Sequence, residues 1–185
     1  MKKRERFIRS QLKAIAQQVE LFKAGVLLYQ AGSYHDSASA FVQFSRAYPA
    51  REVFNNIGAC YFSLALRQLY LKYHRYYFRF KLSIAVDFYT TAEKLNLRAD
   101  DRYLADKDIA GYIQKAEDYF RRAVARDKQD RTCRYNLAAA LILKQEYARA
   151  QAECDALLKK NPRDVDAINN KAVAFYYYGK QEGID

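Results

Sequence analysis

Arg134-Tyr-Asn-Leu-Ala-Ala-Ala-Leu-Ile142, then Tyr147 to Lys160, then Pro162, is the stretch whose reading decides the fold. The first part carries a small residue, Ala138, between Leu137 and Leu141; the second carries Ala150, followed four positions later by Cys154. Proline halts a helix because it lacks the amide proton and clashes with the preceding turn, so Pro162 marks an end. The stretch reads as two helices joined by a short turn.

The same pattern recurs outward in both directions. Leu21 to Tyr29, Phe54 to Phe62 and Ile168 to Tyr176 align with Arg134 to Ile142 as first helices, with Gly25, Gly58, Ala138 and Ala172 at the shared small position. Tyr34 to Ala47 and Ile113 to Asp127 align with Tyr147 to Lys160 as second helices. In these a small residue (Ser37, Ala116, Ala150) precedes Phe41, Phe120 or Cys154 by four positions, and Pro49 echoes Pro162. Gly25 to Gly58 is 33 residues and Ala138 to Ala172 is 34. A fixed period of this length is the signature of a stacked repeat array, in which small residues let helices approach and large ones fill the gaps.

Gly25, Leu28, Gly32, Tyr34, Phe41 and Pro49, echoed by Leu137, Ala138, Leu141, Tyr147, Ala150 and Pro162, resemble the tetratricopeptide-repeat (TPR) family over about two thirds of the chain. The resemblance implies an all-α, right-handed superhelix of helical hairpins, with protein binding rather than chemistry as its work. The sequence departs from the family where tryptophan is expected, holding Leu21, Phe54, Arg134 and Ile168 there, and places Lys171 where leucine is expected.

The period breaks once. Gly58 to Ala138 spans 80 residues, about 46 more than one unit, so an insertion falls near 64–111. It reads as an extension of the helix from 52 towards about 76. A helical run Lys81 to Leu95 follows, with Leu82, Ala85, Val86, Tyr89 and Ala92 on one face. A polar connection follows at Asn96 to Asp101, where Asp101 is a candidate cap. The expected organisation is a single domain over 1–185: a leading helix 1–18, a first repeat 19–50, a second repeat 51–128 with the helical insertion, a third 131–163, and the first helix of a fourth at 165–180. Ile8, Leu12, Ile15, Val19 and Phe22 form an apolar seam expected to pack the leading helix on the first repeat. The missing partner of the last helix suggests a region of a longer protein, or an end that a partner covers.

Gly (6) and Pro (2) are too few to punctuate a many-stranded β fold. Cys60, Cys133 and Cys154 form no CxxC pair and, being odd in number, suggest a reducing compartment; with neither a signal-peptide pattern nor a membrane span in view, the expected location is cytoplasmic. Of the net charge of +11, residues 1–13 and 64–81 account for ten, so basicity is confined to two patches. His35 and His74 stand apart from any spacing used for metals or nucleophiles, and no phosphate-binding glycine motif is present. No catalytic residue, metal site or cofactor is expected.

Three candidate surfaces remain. Asn56, Asn136 and Asn170 hold the same position of successive first helices. In some TPR proteins asparagines at the matching position line the concave groove and hold a peptide's main chain, which an amide suits because it donates and accepts at once. Tyr135 and Tyr176 join them as groove candidates. Lys72, Arg75, Tyr76, Arg79 and Lys81 form a basic-aromatic surface for an acidic protein or, as an alternative, for nucleic acid, although buried tyrosines with snorkelling cations account for the same pattern. Phe175 to Tyr178 offers an anchor for a partner or for self-association. The reading is a non-catalytic protein-interaction scaffold; the alternatives are an adaptor region of a larger effector or enzyme and a nucleic-acid binder.

Overall fold

The computed structural model describes residues 2–73, 80–86, 89–95 and 102–183, with only the backbone at 2–5, 73, 80–86, 89–95 and 180. Among the described residues seven helices follow one another: α1 (Lys2–Gln30), α2 (Tyr34–Ala47), α3 (Arg51–Tyr73), α4 (Lys107–Arg126), α5 (Arg131–Leu143), α6 (Tyr147–Leu158) and α7 (Val165–Gln181). Between α3 and α4 lie two strands, β1 (Phe80–Val86) and β2 (Tyr89–Leu95), and a 3-10 turn, Tyr103–Ala105.

Local chemistry sets the ends. Gly32 adopts φ 76 between α1 and α2, a left-handed conformation that glycine enters without steric cost. Asp106 caps α4 by accepting from the amides of Asp108 and Ile109, and Asp130 caps α5 by accepting from Cys133. The capping role expected of Asp101 falls to Asp106, while Asp101 itself lies outside the described residues.

Each helix packs on the next, and α5 also touches α3 and α7, so hairpins stack side by side into an all-α solenoid. The small and large positions meet as the repeat requires: a Cβ on Gly25 would lie 2.8 Å from the Phe41 ring, and one on Gly58 would lie 2.6 Å from Phe120. Gly58 and Phe120 belong to α3 and α4, which therefore pair directly across the insertion. Most of the core is one cluster running from Tyr29 and Phe41 through Ile57, Phe62 and Phe120 to Leu141 and Tyr177.

Two expectations are corrected. The described residues of the run Lys81 to Leu95 are not helical: β1 and β2 pair antiparallel, with Ile84 opposite Thr91 and Val86 opposite Tyr89. The apolar face drawn for a helix overlooked a second period, because Phe80, Leu82, Ile84 and Val86 also alternate with period two, and β-branched and aromatic residues favour a pleated strand. The leading helix, in turn, is no separate packed element. No glycine or proline interrupts residues 2–24, so α1 runs unbroken and cannot fold back. Its 29 residues outreach the 14 of α2, and Ile8, Leu12, Ile15 and Val19 stay exposed.

Candidate functional site: the inner face of the first helices

β1 runs beside α3, α5 and α7, the three helices that carry the asparagine row. Every residue of α5 from Tyr135 to Leu143 is buried, which leaves that stretch no open side. Its neighbours are α4 and α6 in the hairpin layers, α3 and α7 along the stack, and β1 on what remains.

Asn56, Asn136 and Asn170 each have 0% exposure. Asn136 donates from Nδ2 to Oδ1 of Asn55 at 2.7 Å, joining α5 to α3, and Asn169 donates to Oδ1 of Asn170 at 3.2 Å. The Asn170 Nδ2 and the Tyr135 hydroxyl are buried with no hydrogen-bond partner among the described residues. Tyr135 packs with Leu157 and Ala167, between α6 and α7, where burial pushes its hydroxyl pKa well above the usual phenol range. Tyr176 is half-buried, edge-on to Tyr177, which stacks on Tyr147.

Charge pairs lock one rim of the stack. Arg51, first residue of α3, reaches Asp130, the cap of α5, at 2.8 Å. Arg131, first residue of α5, holds Asp164 through two hydrogen bonds of 2.5 and 2.7 Å and Asp166 through a third of 2.8 Å. Asp164 caps α7 by accepting from the amide of Ala167, and the Arg131 guanidinium keeps its carboxyl below the ordinary range. An arginine opening one first helix thus grips the cap of the next, twice over. Sequence reading missed this, though the Asp130-Arg131 juxtaposition was a signal. A second cluster surrounds the buried Glu117 of α4, which accepts from Lys144 (2.5 Å), Arg121 (2.7 Å) and Arg149 (3.3 Å). Burial pushes its pKa up, but the hydrogen bonds from Lys144 and Arg121 outweigh that and hold it below the usual value.

The basic-aromatic surface is only partly in view. Lys72 pairs with Asp106 at 2.6 Å, Arg75, Tyr76 and Arg79 lie outside the described residues, and Lys81 stands in β1. A different aromatic and cationic group, unmarked by sequence reading, lies on α3 and α4: Tyr61 stacks on Tyr112 and Tyr119, and Arg122 sits 4.2 Å over the Phe54 ring. At the far end Phe175 is 68% exposed, whereas Tyr177 is buried. The cysteines are free and buried, and burial pushes the thiols of Cys60 and Cys154 up to about 12, which leaves little thiolate at neutral pH. No group of acidic, histidine and cysteine side chains among the described residues is arranged to hold a metal, and none of their helices is long and apolar enough to cross a membrane.

An all-α stack of helical hairpins with an inner face formed by first helices defines the class: a helical-repeat solenoid. Residues 109–172 match the family model of the tetratricopeptide repeat. The fold is similar to the NMR structure of the first TPR domain of the human RPAP3 protein, at TM-score 0.60 and 15% identity, covering 90% of this chain and 95% of that one. No curated protein sequence matches the chain. Residues 109–172 thus resemble the tetratricopeptide repeat, and the fold over the chain is TPR-like. Such a fold is typical of non-catalytic scaffolds that bind other proteins.

Proposed function

We propose that the chain is a non-catalytic scaffold, a single domain of three and a half repeats, that holds an extended segment of a protein partner along the inner face of α3, α5 and α7. One observation carries this reading: that face already lies against extended backbone, since β1 runs beside all three helices. Buried asparagines among apolar neighbours suit main-chain recognition, because each amide satisfies a donor and an acceptor of a strand without demanding a sequence. The three unbridged thiols fit a reducing cytoplasm.

The experiment is a capture comparison between wild type and an Asn56→Ala, Asn136→Ala, Asn170→Ala variant, with circular dichroism of both. A partner held by wild type and lost by the equally helical variant supports the reading; retention of every partner overturns it. Nucleic acid is checked in the same preparation by titration at rising salt, where phosphate contacts would show as a steep loss of affinity. A second copy docking on the exposed Phe175 and Tyr178 is checked by sedimentation, with Phe175→Ser expected to abolish any dimer.

A further inference from the structure

We propose that the exposed first half of α1 is a docking seam for an amphipathic helix of a partner protein whose flanking side chains are acidic. The proposal is independent of what the inner face holds.

Ile8, Leu12, Ile15, Val19, Phe22, Val26 and Tyr29 follow one another at alternating spacings of four and three, a single stripe along α1. Such a stripe is the seam on which one helix packs against another. Its second half is covered by α2: Phe22 lies 5.5 Å from the Phe41 ring and 5.3 Å from that of Phe44, Val26 packs on the core, and Tyr29 meets Tyr34 at 5.0 Å. Phe22 thus meets the end of α2 and Tyr29 its start, so the two helices run antiparallel. α2 then stops at Ala47, and Pro49 prevents it from continuing. The stripe does continue. Ile8 (47% exposed), Leu12 (60%), Ile15 (49%) and Val19 (45%) carry it on for about 17 Å, open to solvent.

Three features state the occupant. It is a helix, because the same stripe with the same spacing already takes one in α2. It is a protein rather than a bilayer, because the apolar sector is narrow: Arg9 lines one flank and Gln11 and Gln18 the other, whereas a helix lying in a membrane surface buries a broad apolar face. It is acidic, because Arg6, Arg9 and Lys13 form an exposed row to one side of the stripe, and none of them makes an ion pair with a described side chain. Residues 1–13 hold six basic side chains against Glu5, so a second copy would bring the same surplus of positive charge, while an acidic helix is steered to it and held in register. Free in water, a helical segment this short is marginal on its own, and the partner would stabilise it by covering the seam.

The test uses the full chain and two synthetic peptides of four heptads, both with leucine along the seam, one flanked by glutamates and the other by lysines. The glutamate peptide is expected to bind and to protect the amides of 8–19 from hydrogen exchange, while the lysine peptide does neither. Leu12→Ala with Ile15→Ala keeps a strong helix former at both positions and should weaken binding about tenfold or more. Arg6→Glu, Arg9→Glu and Lys13→Glu together should exchange the preference, so that the lysine peptide binds. Failure of the glutamate peptide to bind, equal binding of both peptides, or indifference to the alanine pair overturns the proposal. Sedimentation of the chain alone covers the second copy, and co-sedimentation with phosphatidylserine vesicles covers the membrane. A dimer, or vesicle binding, that the alanine pair abolishes would assign the seam to that occupant and overturn the acidic helix. The Asn56→Ala, Asn136→Ala, Asn170→Ala variant should bind the glutamate peptide as wild type does, so either reading can fail without the other.

Discussion

Phe120 lies where a Cβ on Gly58 would be 2.6 Å from its ring, and both groups are locked in a fully buried layer. Gly58→Ala is therefore expected to destabilise by about 1–3 kcal/mol through overpacking, read as a lower urea midpoint with unchanged slope. The pairing was legible in sequence: glycine faces phenylalanine in the first two repeats, and the third has Ala138 with the smaller Cys154. At Glu117 the sign follows from a depressed pKa: the carboxylate contributes stability above the ordinary glutamate range, near ~4.3, and that contribution is lost as pH falls through the lower folded value. Glu117→Gln should lower stability at pH 7 by about 1–3 kcal/mol and flatten the acid limb of the stability profile. A pH slope identical to wild type would contradict this. The asparagine row was legible by position. Its burial was not, because burial depends on how α3, α5 and α7 pack with their neighbours, which the repeat pattern does not state.

For the elements, the helices of the hairpins could be drawn closely from small-large spacing and prolines: α2 matches its expected span, and α6 and α4 differ from theirs mainly at one end. The insertion was misread because apolar residues at 82, 85, 86, 89 and 92 satisfy a helical period while 80, 82, 84 and 86 satisfy a strand's, and pattern alone does not choose between them. Likewise the seam of α1 was seen, but a seam does not name what covers it. Caps are the elements' most testable feature. Asp130 both caps α5 and receives Arg51, so Asp130→Ala is expected to cost about 1–2 kcal/mol, roughly one for the cap and the rest for a partly exposed ion pair. Arg51→Ala should cost less than Asp130→Ala in the same thermal melts, since it leaves the cap intact.

At the level of the whole molecule, a helical-hairpin array ordinarily behaves as a one-dimensional chain in which each unit feels only its neighbours, so it frays from its ends. The strand lying across α3, α5 and α7 adds a tie that skips a layer, since α3 and α7 do not adjoin in the stack. Such a tie turns local melting into a shared event: the last helix cannot peel away without disturbing the strand, nor the strand leave without loosening both ends it spans.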